Sequence, residues 1–452
     1  MTLCASELER KLVHIGVGGF AFLLRDLPWW AAIGMAVSAF LFNWQVLPRI
    51  GGRRLWRGVE HAEGHPLGIL LYPLSVLGLV LAFPGANRWM AAAVWGILAC
   101  GDGMAALLGQ ALRGPRLPWN EAKGWIGFCA FVVFGTLGAS LLAAWTLGLP
   151  LAAALSRETL GITLPVVLLC ALTESAATTL DDNLTVPLVG ALSIPLVAGA
   201  DAARLLADPD LGSRLVLGLS LCAALAALAC AARLLDVAGA ISAVAIGAAI
   251  MVGLGAAALA VMIAFFVAGS AATKLGRRTK AARGIAQLQG GTRGWRHAWA
   301  NGGVPACLAL LGGMSDAKEL FALAYAASVA TAAADTCASE VGKAYGRRAY
   351  LITSLRAVPP GTSGAVSLEG TLGGLAGGSI VASVGGLLGL HPPRAALLVA
   401  LAGLVGSLAE SVIGRTARRK GWMDSHLLNA LNTALGAALV AALVRLAPRW
   451  AS

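Results

Sequence analysis

Apolar runs of about 20 residues recur along this chain from one end to the other. FCAFVVFGTLGASLLAAW (Phe128–Trp145) and VLGLSLCAALAALACAA (Val216–Ala232) are two of them. About 20 apolar residues in helical form span the hydrocarbon of a bilayer, whereas a membrane strand needs only about 9–11. Lipid offers no partner to backbone polar groups, so only helices or closed barrels cross it. Runs this long mean helices. The 452 residues are 58% hydrophobic and 12% charged, against about 45–50% and 25% in soluble domains, and mean hydropathy is +0.78. The expected fold class is all-α: a polytopic transmembrane helical protein.

The charge balance of +12 would raise nucleic acid as a partner in a soluble protein. Here the basic residues cluster in short segments between apolar runs: Arg10–Lys11, Arg49–Arg57, Arg113–Lys123, Lys274–Arg296, Arg347–Arg356 and Arg415–Lys420. This is the pattern of the positive-inside rule, so the bilayer, and no nucleic acid, is the expected partner. With every cluster cytoplasmic, spans come in even numbers between them. About 15 are expected, starting near Leu12, Trp29, Pro66, Trp89, Trp125, Gly161, Leu184, Leu215, Val237, Gly255, Ala298, Leu320, Gly364, Arg394 and Leu427. That puts the N-terminus inside, in a bacterial inner membrane. The start MTLCASELERKLVH carries no secretory-signal pattern. The eight Cys are scattered without a CxxC pair and read as small buried hydrophobes.

The chain repeats itself. GDGMAALLGQ (Gly101–Gln110) matches ADTCASEVGK (Ala334–Lys343) at the Asp, at an Ala three on and at a Gly seven on. A basic loop follows each, then segments sharing G…GTLG, then TES (Thr173–Ser175) and AES (Ala409–Ser411). Upstream, RKLVHIGVGG matches RGWRHAWANGG at the Arg and at the His four on. Shared order makes the weak matches count together. The expected organisation is a first half over 1–203, a linker and connecting span over 204–235, and a second half over 236–452. Both halves start inside, so they are parallel repeats.

Ionisable residues in spans are costly and read first as functional. Asp102, Glu174, Asp181, Asp182, Asp335 and Glu410 fall toward the expected cytoplasmic ends, beside Lys and Arg, while Glu369 falls about one and a half turns inside its span. Carboxylates next to cations at a wet surface suit magnesium bridging phosphates: the ion takes one or two carboxylates and phosphate oxygens, and Lys or Arg neutralises the rest. The Gly-rich turn PPGTSG (Pro359–Gly364) offers backbone N–H groups to an anion. GxxxxGK[ST], HExxH and paired-Cys patterns are absent from the sequence, which excludes a P-loop enzyme and the common zinc centres. His14 and His297, each four after an Arg, are candidates for a phosphate contact or acid–base work.

ELERKLVHIGVGG, CGDGMAALLGQ, PWNEAKGWIG with GTLGA, and LTESAATTLDDNLTVPL make the first half resemble the phytol kinase and dolichol kinase family, CTP-dependent membrane lipid kinases akin to phosphatidate cytidylyltransferases. The second half resembles the phytyl-phosphate kinase family, also called domain of unknown function ninety-two, through GSAATKLGRRTKAARGIAQLQGGTRGWRHAWANGG, AADTCASEVG, LITSLRAVPPGTSGAVSLEGT and LVGSLAESVIG. The resemblance implies a fusion of two successive activities. A long-chain prenyl alcohol, of phytol or geranylgeraniol type, is phosphorylated, and its monophosphate is then carried to the diphosphate, with CTP as donor. It places Asp102, Lys123, Asp335 and Glu340 in catalysis. Arg10, His14, Asn120, Lys123, Asn183, Arg293, His297, Asn301, Thr362 and Ser363 fall at nucleotide sites, and Asp102, Asp181, Asp182, Asp335 and Glu410 at the metal, with Glu174, Ser339 and Glu369 nearby. The first half departs from its pattern at Gly124 and Ile126, where the family has a Ser and an acidic residue. Two other classes stay open: a transporter, since repeats and intramembrane charges also mark carriers, and a cytidylyltransferase making a CDP-lipid.

Overall fold

The structure, a computed structural model, describes residues 5–56, 60, 66–112, 114–176, 178–285, 292–419 and 421–446. Arg57, Arg113, Lys420 and the 286–291 stretch of the longest basic segment lie outside the described residues. The protein is a multi-pass α-helical membrane protein, and it divides into two compact units, Met1–Gly199 and Ala200–Ser452. The segment 204–235 belongs to the second unit.

The first unit contains α1 (Ala5–Val17), α2 (Trp29–Arg49), α3 (Leu67–Ala82), α4 (Gly85–Ala111), α5 (Trp125–Thr146), α6 (Arg157–Glu174) and α7 (Asp182–Ala198). The second contains α8 (Leu211–Ala231), α9 (Val237–Gly253), α10 (Ala256–Lys274), α11 (Trp295–Gly313), α12 (Lys318–Tyr345), α13 (Leu368–Leu387), α14 (Ala395–Arg419) and α15 (Ser425–Leu446). Each expected span position thus carries a helix. By length and composition, nine described helices are apolar enough to cross a bilayer, and three more, α3, α7 and α9, are apolar but shorter. The difference from fifteen arises where helices are short or polar: α1 has 13 residues and five charged or His residues.

Each unit is organised around one buried helix. In the most apolar window of α4, 72% of residues are buried, and in that of α12, 83%; the other seven long helices reach 50% at most. A helix enclosed by protein on all sides needs small residues, because close backbone approach is the main source of packing energy in lipid. Hence α12 reads FALAYAASVATAAADTCA, with Ala322 to Ala334 buried throughout. The glycine spacing of α13 fits it. A Cβ on Gly370, Gly374 or Gly377 would stand 2.9–3.0 Å from a backbone carbonyl oxygen of α12, at Ala338, Ala334 and Ala333. In the first unit, Gly138 of α5 meets the backbone of α4 at Gly96. The repeated GTLG motif therefore marks the helix that packs on the Asp-bearing helix in both units.

Small sheets interrupt the helices. Strands β1 (Arg116–Leu117) and β2 (Asn120–Gly124) form a hairpin, and β3 (Ala349–Leu351) is the centre of a three-stranded antiparallel sheet with β4 (Ala357–Val358) and β5 (Ala365–Ser367). These strands occupy the basic connections. Because β5 takes residues 365–367, α13 begins only at Leu368, capped by the Ser367 hydroxyl, which accepts the Gly370 N–H at 3.1 Å. Glu369 consequently sits in the first turn of α13, not one and a half turns inside.

Candidate active sites

Asp102 lies at the end of a π-helical turn, Ile97–Asp102, within α4. Such single wide turns commonly mark functional positions. The Asp is 5% exposed, and two residues one helical turn apart on α1 close on it. Lys11 Nζ donates to Asp102 Oδ2 at 2.8 Å, and His14 Nε2 is 3.3 Å from the same oxygen. His14 Nε2 is also 3.0 Å from the Leu98 carbonyl oxygen. A carbonyl only accepts, so this nitrogen carries a proton and acts as a donor.

The hairpin delivers the second cation. Asn120 Nδ2 donates to the Ser175 carbonyl at 3.1 Å, and Trp119 Nε1 to the Ser175 hydroxyl at 3.1 Å, pinning β2 to the end of α6. Lys123 Nζ then reaches Glu174 Oε1 at 2.6 Å, the Glu174 carbonyl, and Asp182 Oδ2 at 3.7 Å. Burial works against the Lys123 charge, but the two carboxylates beside it prevail and hold its pKa above the usual lysine value. Asp102, Glu174 and Asp182 each offer an oxygen within 4.8 Å of the others. Asp181 is not one of these three: its side chain caps α7 by accepting the Asn183 N–H at 2.9 Å. Asn183 itself ties α7 to α3, donating to the Gly68 carbonyl at 3.1 Å. Arg10, His14 and Asn183 line a neighbouring cavity of about 120 Å³. Gly124 and Ile126 are packing positions: a Cβ on Gly124 would stand 3.2 Å from the Pro115 carbonyl oxygen, and Ile126 lies over Gly114.

In the second unit, Asp335, Ser339, Thr362, Ser363 and Glu410 line one cavity of about 280 Å³. Its walls are one face of α12, the loop between β4 and β5, and α14. The loop needs glycine: Gly361 and Gly364 adopt φ of +90° and +74°, the left-handed region that glycine enters without a Cβ clash. A Cβ on Gly364 would also stand 2.8 Å from the Ser411 carbonyl oxygen. Lys343, Ser367, Thr371, Ser407 and Arg418 complete the lining, and Arg418 Nη2 donates to Glu410 Oε1 at 3.0 Å. Glu340, 2% exposed, points elsewhere on α12, pairing with Lys280 at 2.6 Å and Lys343 at 3.2 Å. Arg293, His297 and Asn301 line a separate, apolar cavity.

Sequence reasoning missed Lys11, Lys280, Ser407 and Arg418. Lys11 had a signal in its spacing of three from His14, which puts both on one helix face. Arg418 had one in its spacing of eight from Glu410. Lys280 had none, since its partner lies 60 residues away.

Buried carboxylates beside lysines, on a helical membrane scaffold, define a class: a multi-pass membrane protein with charged clusters in both units. Residues 220–437 match the family described as integral membrane protein DUF92. The membrane protein sll0875 of Synechocystis sp. is 42% identical over 181 residues, 39% of this chain and 70% of that protein. VTE6 of Arabidopsis thaliana, a chloroplastic protein, is 41% identical over 181 residues, 38% of this chain and 54% of its own length. Phytol kinase of Synechocystis sp. is 32% identical over 197 residues, 42% of this chain and 80% of the kinase. No solved structure is significantly similar. The chain belongs to the DUF92 family of integral membrane proteins and is related to phytol kinase.

Proposed function

We propose that the protein is a bifunctional lipid kinase, phosphorylating a long-chain prenyl alcohol in its first unit and the prenyl monophosphate in its second. CTP, the donor implied by the resemblance to the phytol and dolichol kinases, serves both steps. The units are parallel repeats in a bacterial inner membrane, with both centres on the cytoplasmic side. The observation that carries the reading is the convergence of Asp102, Glu174 and Asp182 within 4.8 Å beside Lys123 and Lys11.

Magnesium fits this donor set, which offers only hard oxygen ligands in a small space. Asp102, Glu174 and Asp182 would hold it in the first unit, and Asp335 and Glu410 in the second. When bound, it supplies charge neutralisation and alignment of phosphate oxygens. Lys11 and Lys123 orient and neutralise phosphate in the first unit; Lys343 and Arg418 do so in the second. The Thr362 and Ser363 hydroxyls and the N–H groups of their loop bind phosphate oxygens. Phosphoryl transfer depends on positioning and electrostatics more than on a strong base, which agrees with His14 acting as a donor on Asp102.

Purified full-length protein given geranylgeraniol, CTP and magnesium tests the reading by product mass. Lipid gaining one and then two phosphates is expected. Gain of a CMP group would point to a cytidylyltransferase instead, and uptake into proteoliposomes without nucleotide consumption to a transporter. No phosphorylated product from either alcohol or monophosphate overturns the proposal.

A further inference from the structure

The cavity bordered by α8, α9, α10 and α11 encloses about 390 Å³, within the range of small-ligand pockets, about 300–1,000 Å³. Its walls are aliphatic and aromatic. Apart from Cys222, its polar lining is confined to Arg293, His297 and Asn301. Leu225 and Leu228 on the α8 wall are 36% and 67% exposed, which opens this side toward acyl chains of the bilayer.

Arg293 is the informative residue. Its guanidinium lies 5.9 and 5.8 Å from the ring centres of Phe265 and Phe266, and no carboxylate among the described residues forms an ion pair with it. The nearest acidic influence on it is Glu340, which is itself held by Lys280 and Lys343, so the half-buried guanidinium is only partly compensated, and burial of a charge without a direct partner is costly. An anionic ligand would supply the missing partner, and planar guanidinium suits phosphate. Arg293 also lies against α12. Both the Arg293 guanidinium and the Thr336 methyl crowd Gly269, at 3.0 and 3.3 Å from where its Cβ would stand, and Thr336 follows Asp335 on α12.

We infer that this cavity is the seat of a single-chain isoprenoid phosphate: the hydrocarbon lies along α8, α9 and α10, and the phosphate rests on Arg293 with His297 and Asn301 beside it. Arg293 and His297 thereby serve the lipid substrate and not the nucleotide. The choice of chain rests on the kinase reading above; the pairing of an apolar wall with an unpaired guanidinium does not.

The test is equilibrium binding of radiolabelled geranylgeranyl monophosphate to the full-length protein in phosphatidylcholine nanodiscs. Arg293→Gln is expected to weaken that binding about tenfold, the usual loss for a charge-assisted contact, and to leave geranylgeraniol binding within about twofold. Arg293→Lys should fall between Gln and wild type. Ala243→Phe, which fills the apolar wall, should weaken both ligands. Equal competition by dioleoyl phosphatidic acid overturns the inference, because the cavity then takes ordinary bilayer lipid. So does a loss of CTP binding in Arg293→Gln with lipid binding unchanged. Tight geranylgeranyl phosphate binding without turnover on any nucleotide sinks the kinase reading and leaves the cavity standing. Full turnover in Arg293→Gln and Ala243→Phe sinks the cavity and leaves the kinase reading.

Discussion

The two centres use the same scaffold and differ in charge. In each unit an Asp stands on the most buried helix, a Gly-rich helix packs against it, and a short sheet in the following basic connection delivers polar groups. In the first unit Asp182 lies eight residues after Glu174, and the three carboxylates face two lysines. In the second, Arg418 lies eight residues after Glu410, and Asp335 and Glu410 share their cavity with two cations, Lys343 and Arg418. The first centre keeps an excess of negative charge, which on the kinase reading suits a metal beside a neutral acceptor. The second balances two carboxylates with two cations, which on the kinase reading suits an acceptor that already carries phosphate. The His residues diverge in the same way: His14 serves Asp102, whereas His297 stacks edge-on against His426 with ring centres 4.6 Å apart, at the rim of an apolar cavity.

This contrast can be broken by mutation. The largest effect is expected from Glu410→Gln, which should lower conversion of prenyl monophosphate to diphosphate by about 10³-fold, the scale of charge clamps in phosphoryl transfer, and leave alcohol phosphorylation intact. Radiolabelled acceptor assays read both steps. Arg418→Gln should raise KM for the monophosphate by about tenfold, the value of one charge-assisted contact, with kcat for the alcohol unchanged; an equal effect on both acceptors would erase the distinction between the centres. Lys280→Met tests packing and not substrate. It takes away the 2.6 Å partner of buried Glu340, and removing one member of a buried pair costs about 3–5 kcal/mol, so thermal unfolding of the purified protein should shift down by several degrees. Asp316→Asn should shift it by nothing measurable, because its pair with Arg204 is exposed to solvent and such pairs contribute little.

The helical part of the fold was legible because a membrane span announces itself by length and apolarity, and every expected position does carry a helix. The strands were not: with two to five residues each, inside basic segments, they have no alternating pattern to read. That is why Glu369 was expected too deep. The carboxylates of the sites stood out because charges are rare in this chain. Their partners did not. Arg418 sits in RTARRK, and Lys11 beside Arg10, where cations read as topology signals. Lys280 lies in a similar run, RRTK. A positive-inside cluster and a phosphate clamp have the same composition, and only the α12 and α14 faces that line the cavity separate them.

Separate centres for the two steps are the core of this account, and one assay reaches it most directly. Asp102→Asn and Asp335→Asn proteins are each given geranylgeraniol and, separately, geranylgeranyl monophosphate, with CTP and magnesium, and the products are weighed. Asp102→Asn should fail on the alcohol and still convert the monophosphate; Asp335→Asn should stop at the monophosphate. Equal loss of both products in each variant would contradict the account and leave a single shared site.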